Sequence, residues 1–578
     1  MVAVALLVAV LAVEPAEGST APAAWAAPSN VEQKMDPGEP GDLDTRRIEY
    51  DAQVTVVQQP VGDPPGYAYP ERLRGVLHLP VGDPGPFPVV VFLHGRHGTC
   101  RVAGSTEALV WPCPDAPPVL EDLPSWRGFD YAGSVLASHG YVVVSANANA
   151  VNVVGSLDGT QERQQIVRRT LDLIEEWNDG PRPIPDGVGG ELEDRVDLQR
   201  IGLVGHSRGA AAVSEFLNER APGGPDRFPG LKAVLSIQGL DMSFSEEGGQ
   251  IPTGAHYGAI FGTCDGDVGL SGVAMWDRGR FRPDAAGFAR VAFLVHGANH
   301  NFFNSEWPDE WPFAFDELTG GPDDPTCMGA HSTNIRLTPT DQQRLGATLI
   351  AGFLRRYVGE ETQFEPLMNG TALLSPGACP TERFGSGRPV ACDELVRTSY
   401  VPPADEILVL TEPGDGLDPG IGVASTQAEG FSSAQVCWSA ECPEPVAGRA
   451  RQLALTWEDA AVLRAQLPTA VDVSRFGGVT MRVHVNRLDE RNGGLASQDF
   501  DVVLIDAGGR TAQVAAGGYG NALRVPAERP HRRMALGGLR VPLAAFTDID
   551  LRAITTVELR FGSVPTGSLN IAEVSFAG

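Results

Sequence analysis

Ser207 lies between two glycines in the sequence Gly205-His-Ser-Arg-Gly209, directly after the apolar run 201–204. A serine hydroxyl becomes a nucleophile when a base removes its proton and when a sharp backbone turn lifts it off the sheet. Glycines at positions 205 and 209 leave room for such a turn. The pattern therefore predicts a nucleophilic serine at the end of a buried strand.

Acidic and histidine candidates follow this serine along the chain, and each comes after a short apolar run. A catalytic serine needs a histidine to take its proton and an acid to orient that histidine. We expect Asp265 to be the acid, with Asp267 as the alternative. We expect His300 to be the base, with His296 as its rival.

A fourth feature supplies hydrogen-bond donors for a developing oxyanion. The apolar run 88–93 leads into His94-Gly95-Arg96. The backbone N–H groups of Arg96 and Arg208 are the predicted oxyanion hole, and their side chains are not required for it. His94 is expected to hold the shape of this loop rather than to act in the reaction.

The chain resembles the α/β-hydrolase superfamily over residues 48–358. The resemblance rests on the order of the oxyanion loop, the serine, the acid and the histidine, each at the end of a predicted strand. The Gly-His-Ser-Arg-Gly sequence is similar to that of chlorophyllases. The inferred extracellular setting is similar to cutinase-like polyester hydrolases and platelet-activating-factor acetylhydrolases. The resemblance implies a serine esterase of the α/β class, with a mainly parallel sheet and helices on both faces, over residues 45–360.

The 578 residues exceed one ordinary domain. Residues 361–403 are rich in Pro and Gly and predict a linker. Beyond them, strand-like runs with period-two alternation predict an all-β sandwich over residues 404–578. Its last hundred residues resemble the galactose-binding-like jelly roll of carbohydrate-binding modules, which implies a polysaccharide or an insoluble polymer as a partner.

Two long insertions, residues 98–128 and 301–332, are expected to border the substrate site. Their aromatic residues include Trp111, Trp126, Phe302, Phe303, Trp307, Trp311 and Phe313. Aromatic side chains crowded beside the proposed base predict an apolar or aromatic acyl subsite. The alternative is a lid or a satellite core without substrate contact.

Eight cysteines fall into pairs of sequence neighbours, which predicts four disulfides: Cys100–Cys113, Cys264–Cys327, Cys379–Cys392 and Cys437–Cys442. Disulfides are typical of oxidising compartments. Residues 1–27 have the apolar run and small-residue site of a signal peptide, although no basic residue precedes that run. We therefore expect a secreted, extracellular or periplasmic protein.

The formal net charge of −29 disfavours nucleic acids and anionic membranes as partners. Apart from the N-terminal segment, no apolar run approaches the ~20 residues that span a bilayer. His97 and His256 belong to no chemical pattern, and Asp415 and Asp418 are interpreted as a turn. No metal site and no cofactor is predicted.

These patterns favour a secreted serine carboxylic-ester hydrolase that acts through an acyl-enzyme on an apolar or aromatic ester, with a polyester or a lipid as candidates. An amidase or peptidase would use the same residues. A protein of a different class, an inactive hydrolase used for binding or adhesion, is a third hypothesis. Activity on matched esters and anilides separates the three.

Overall fold

The structure is a computed structural model. It describes residues 36–55, 72–102, 107–115, 120–154, 159–180, 190–218, 227–241, 252–307, 325–412, 422–438, 441–525 and 534–578. The predicted signal peptide (1–27), the aromatic residues Trp311 and Phe313, and the turn with Asp415 and Asp418 lie outside these residues.

The first two thirds of the chain build a nine-stranded sheet and a small three-stranded sheet. Their strands are β1 (Asp44–Thr55), β2 (Arg72–Val81), β3 (Phe87–Leu93), β4 (Cys100–Arg101), β5 (Glu107–Ala108), β6 (Glu121–Asp122), β7 (Val142–Ala146), β8 (Val196–His206), β9 (Leu231–Ile237), β10 (His256–Cys264), β11 (Arg290–Asn299) and β12 (Val396–Val401). The large sheet has the order β1-β2-β7-β3-β8-β9-β10-β11-β12, and β4, β5 and β6 form the small one. Strand β3 consists of apolar residues that are all buried, as expected for an inner strand that is covered on both faces.

Helices cover both faces of the large sheet. They are α1 (Asp130–Ser138), α2 (Asn149–Val154), α3 (Thr160–Asn178), α4 (Arg208–Asn218), α5 (Val273–Arg278), α6 (Pro339–Tyr357), α7 (Glu365–Met368) and α8 (Cys392–Leu395). Apolar side chains of α3 and α4 belong to one core, and those of α1 and α6 belong to another. The side chain of Thr338 caps α6 by accepting the N–H of Asp341.

The α/β class predicted from the sequence is wrong. The large sheet is mixed, with five parallel neighbouring pairs and three antiparallel ones. The structure is only 24% helical and contains further antiparallel sheets, so it is not the typical helix-rich α/β hydrolase. The antiparallel edge strand β12 was missed because it belongs to residues 361–403, which the sequence predicted as a linker.

The C-terminal part is a β-sandwich, as predicted. Its strands are β13 (Ile407–Thr411), β14 (Ser425–Glu429), β15 (Ser433–Trp438), β16 (Arg451–Trp457), β17 (Ala461–Val471), β18 (Gly478–Val485), β19 (Asp501–Asp506), β20 (Thr511–Ala515), β21 (Gly537–Pro542), β22 (Ile554–Phe561) and β23 (Gly567–Ala577). One antiparallel sheet has the order β15-β16-β23-β18-β21, with β13 also paired to β23, and the other has the order β14-β17-β22-β19-β20. A single apolar core lies between them.

Residues 361–403, predicted as a linker, pack into the body of the protein. Strand β12 from this segment pairs antiparallel with β11 at the edge of the large sheet. Leu367, Met368 and Leu395 belong to the core under α6. Short 3₁₀ turns complete the described chain at Ser125–Phe129, Pro283–Ala285, Asn301–Phe303, Thr362–Phe364, Pro376–Ala378, Ala404–Glu406, Glu490–Asn492, Ala516–Gly518 and Leu543–Ala545.

Candidate active site

The residues singled out in the sequence follow the ends of neighbouring parallel strands. Ser207 follows β8, Asp265 follows β10, and His300 follows β11. The loop with Gly95 and Arg96 follows β3, which lies beside β8. Parallel strands end at the same edge of a sheet, so the four loops meet there.

Ser207 adopts a left-handed backbone conformation with φ of 57°. A Cβ at Gly205 would lie 2.3 Å from the carbonyl oxygen of Gly209, and a Cβ at Gly209 would lie 2.2 Å from that of Leu93. Both positions therefore require glycine. A serine with positive φ costs on the order of 1–3 kcal/mol, and such strain is concentrated at functional sites.

The loop after β3 packs directly against Ser207. A Cβ at Gly95 would lie 3.0 Å from Oγ of Ser207 and 2.5 Å from its Cβ. Arg96 follows in this loop, and Arg208 is the first residue of α4. The N-terminal end of a helix carries a partial positive charge. The predicted oxyanion donors thus come from the two segments that flank Ser207, and their role stays a prediction.

Asp265 and His300 form a buried acid–base pair. The Nδ1 atom of His300 donates to Oδ2 of Asp265 at 2.9 Å. Asp265 is fully buried, and its Oδ1 accepts the backbone N–H groups of Asp267, Val268 and Gly269 at 2.9, 2.9 and 3.2 Å. These donors fix the carboxylate and place the proton of the neutral imidazole on Nδ1, which leaves Nε2 as the basic nitrogen.

Asp267, the alternative acid, lies on the opposite side of the ring. Its Oδ2 is 3.5 Å from Nε2 of His300, and its side chain is 30% exposed. Asp265 therefore occupies the orienting position. His296, the rival base, lies inside β11 and is 5% exposed, so it does not share the loop of His300.

Two further histidines hold the loops in place. Nε2 of His94 accepts the N–H of Ala148 at 2.8 Å, and its Nδ1 donates to the oxygen of Gly95 at 2.9 Å. Burial lowers the pKa of His94 to about 3, so it stays neutral. Nε2 of His206 donates to the oxygen of His300 at 3.0 Å, and burial lowers its pKa well below the ordinary value.

Two buried glutamines that the sequence did not single out hold the end of β11: Gln238 links it to β10, and Gln342 links it to α6. Gln238 donates to the oxygen of Asn299 at 3.1 Å and accepts the N–H of Gly262 at 3.0 Å. Gln342 donates to the same oxygen at 2.9 Å and accepts the N–H of Asn299 at 3.0 Å. Gln238 follows an apolar run in the sequence and Gln342 does not, and no pattern predicts these contacts.

Aromatic residues pack behind the proposed base. Trp307 stacks on His97 with ring centroids 4.6 Å apart, lies 4.7 Å from His206, and lies 6.4 Å from His300. It is 4% exposed, and its Nε1 donates to Oγ of Ser125 at 2.9 Å. His97, to which no chemistry was assigned, thus belongs to the wall of the site. The predicted aromatic acyl subsite stays a prediction.

All four predicted disulfides are confirmed. Cys264 directly precedes Asp265, and its partner Cys327 lies in the insertion that follows His300. This bond ties the loop of the acid to the insertion after the base.

A cluster of buried charges, here called the interface charge cluster, joins the large sheet's domain to the sandwich. Its members are Asp277, Arg280, Glu412, Arg482 and Glu573. Arg280 contacts Asp277, Glu412 and Glu573 at 3.1, 3.0 and 3.0 Å. Arg482 contacts Asp277 and Glu573 at 2.8 and 2.5 Å. Asp277 lies in α5, the helix after the loop of Asp265, so the sandwich anchors that helix.

The cluster changes the acidity of its carboxylates in both directions. Burial alone would raise the pKa of Asp277, but Arg482 and Arg280 hold it below its ordinary value. The same two arginines hold the pKa of Glu573 below its ordinary value despite burial. Burial raises the pKa of Glu412, which Arg280 contacts at 3.0 Å.

A cleft of about 90 Å³ opens between the sandwich and the segment that ends in β12, with Leu373, Tyr400, Tyr519 and Glu573 among its lining residues. None of Ser207, Asp265 and His300 lines it. In the described part of the chain, no group of three or more His, Cys, Asp or Glu residues is arranged to hold a metal ion. No helix within the described ranges is both long and apolar enough to cross a membrane.

No family model matches this chain, and no curated protein matches it. The site is therefore interpreted from its own geometry.

Proposed function

We propose that this protein is a serine hydrolase that cleaves carboxylic esters through a covalent acyl-enzyme. The observation that carries the proposal is the left-handed turn at Ser207, next to the strand ends that bear the hydrogen-bonded pair of His300 and Asp265. Gly205 and Gly209 permit this turn, since a Cβ at either position would collide with backbone.

In the first half of the reaction, Nε2 of His300 takes the proton of Ser207, and Oγ attacks the ester carbonyl carbon. The negative oxygen of the tetrahedral intermediate accepts the N–H groups of Arg96 and Arg208. Asp265 holds the imidazole and stabilises its protonated form. The proton on Nε2 then passes to the leaving alcohol, which departs and leaves the acyl group on Ser207.

In the second half, a water molecule gives a proton to Nε2 of His300 and attacks the acyl carbon. Collapse of the second tetrahedral intermediate returns the proton to Oγ of Ser207 and releases the acid. Oriented backbone donors in a buried site require little reorganisation during these steps.

We propose, in addition, a distant kinship with serine esterases of the α/β-hydrolase superfamily, supported by the chain order Ser207, Asp265, His300 and not by fold class. Secretion is proposed because four disulfides suit an oxidising compartment. Binding of a polysaccharide or an insoluble polymer by the sandwich stays a prediction.

The test compares wild type with Ser207→Ala on p-nitrophenyl esters and on matched p-nitroanilides. Ser425→Ala, which changes an exposed serine of the sandwich, is the control. We expect Ser207→Ala to lose at least about 10³-fold in kcat on esters, with the circular dichroism unchanged. Anilides cleaved as fast as esters would favour the amidase alternative. A folded Ser207→Ala that keeps its esterase activity would overturn the proposal.

A further inference from the structure

Two carboxylates of one loop lie on opposite sides of the His300 ring. Oδ2 of Asp265 is 2.9 Å from Nδ1, and Oδ2 of Asp267 is 3.5 Å from Nε2. Asp265 is fully buried, whereas the side chain of Asp267 is 30% exposed. Within the described ranges, no lysine or arginine forms an ion pair with Asp267. A carboxylate therefore stands beside Nε2 of the proposed base, on the side of the ring away from Asp265.

Asp267 lies near the alcohol part of the substrate, because both are close to Nε2 of His300. In the proposed reaction Nε2 of His300 returns its proton to the leaving oxygen, which must come within about 3 Å of that nitrogen. Since Oδ2 of Asp267 is 3.5 Å from the same nitrogen, the first carbons of the leaving alcohol must pass beside this carboxylate. The acyl part extends from the other side of the carbonyl carbon.

We propose that Asp267 selects esters whose alcohol part carries a positive charge, such as esters of quaternary amino alcohols. The inference rests on the proposed function and names its substrate class. A cation on the alcohol is attracted by Asp267, and a carboxylate there is repelled. The net charge of −29 adds a field of the same sign. For a partly exposed pair, the preference is about threefold to tenfold.

The loop is built so that this carboxylate can be neutralised without disturbing the acid. The backbone N–H of Asp267 donates to Oδ1 of Asp265 at 2.9 Å, and Asp267→Asn keeps that donor. Asp459→Asn is the matched control, because it removes the same charge from an exposed position of the sandwich.

The experiment measures the rate at which two phosphonate esters label Ser207. One has a thiocholine leaving group, and the other has the neohexyl thiol, in which carbon replaces the charged nitrogen. We expect wild type to react about threefold to tenfold faster with the cationic reagent at low salt. The ratio should fall in Asp267→Asn towards the ratio at which the two reagents react with hydroxide in the absence of protein, and it should persist in Asp459→Asn. It should also fall at ionic strength of about 1 M, where the screening length is ~3 Å.

Three results would contradict the inference, and the third would also contradict the proposed function. Equal labelling of wild type by the two reagents overturns the role of Asp267 and leaves the serine hydrolase intact. A preference that exceeds the ratio of the reagents' reactions with hydroxide and is unchanged in Asp267→Asn assigns the selectivity to another group. If neither reagent labels Ser207, the proposed function fails, and the inference that rests on it fails too.

Discussion

Two groups of buried charge lie near the loop of Asp265: the pair of Asp265 and His300, and the interface charge cluster. The two groups are held by different kinds of contact. Asp265 is satisfied by three backbone N–H groups of its own loop and by His300, all within 36 residues of chain. In the interface charge cluster, Asp277 depends on Arg482, which lies 205 residues away. The acid–base pair is thus a local product of the sheet edge, whereas the helix after it is anchored by the sandwich.

The largest effect is expected from a substitution that disrupts the pair of Asp265 and His300. Asp265→Asn should lower kcat on a neutral soluble ester by about 10³- to 10⁴-fold, because the amide no longer stabilises the protonated imidazole or fixes its tautomer. Asp267→Asn should cost far less, since Asp267 does not contact Nδ1. Steady-state kinetics of the two variants decide the matter. A larger loss in Asp267→Asn would show that the two residues exchange roles.

The next largest effect is expected from a substitution in the interface charge cluster. Arg482→Met leaves Asp277 and Glu573 to share Arg280, so buried carboxylates lose their partner, and the expected loss is about 3–5 kcal/mol in the free energy of unfolding. Arg282→Met is the control, since its side chain is 44% exposed, the side chain of its partner Asp284 is 43% exposed, and such an exposed ion pair is worth about 1 kcal/mol or less. Denaturant unfolding of the full chain measures both. Equal losses would mean that the cluster does not stabilise the protein.

The disulfide next to Asp265 can be compared with a disulfide of the sandwich. The bond Cys264–Cys327 spans 63 residues, and its removal by alanine at both positions should cost about 3–4 kcal/mol. The bond Cys437–Cys442 spans 5 residues and should cost about 2 kcal/mol. Only the first pair of substitutions should also lower esterase activity, because Cys264 adjoins Asp265. Equal activity in the two variants would contradict this account of the loop.

The smallest effect is the pH dependence of the cluster. The pKa values of Asp277 and Glu573 are held low in the folded protein, so their contribution is present above pH ~4 and is lost as the pH falls through the folded values. Glu412, whose pKa is raised, acts in the opposite direction. The unfolding free energy of Glu573→Gln should therefore fall less between pH ~5 and pH ~3 than that of wild type. A steeper fall in the variant would refute the assignment.

Much of the site could be predicted from the sequence because each of its residues follows a strand that contains a buried apolar run. Ser207 also carries its own signal, since Gly205 and Gly209 mark the turn. The disulfides were predictable because their cysteines are neighbours in the sequence. Asp265 was preferred over Asp267 from spacing alone, and the hydrogen bond to Nδ1 of His300 agrees with that preference.

The rest depended on contacts that no local pattern encodes. The fold class was wrong because the structure is only 24% helical and contains further antiparallel sheets, and the antiparallel edge strand β12 comes from the segment predicted as a linker. Arg482 and Glu573 look like ordinary strand residues, and only the docked sandwich brings them to Asp277. The contacts of His206 and Gln238 likewise depend on two loops that are distant in the chain.

The central claim is that Ser207 is the nucleophile, and covalent labelling tests it most directly. A fluorophosphonate should form one adduct per chain, located on Ser207 by peptide mass spectrometry, and the loss of esterase activity should follow the extent of labelling. His300→Ala should abolish both, because the serine is then no longer activated. Turnover that persists after full modification of Ser207, or an adduct on another residue that accounts for the inactivation, would contradict the account.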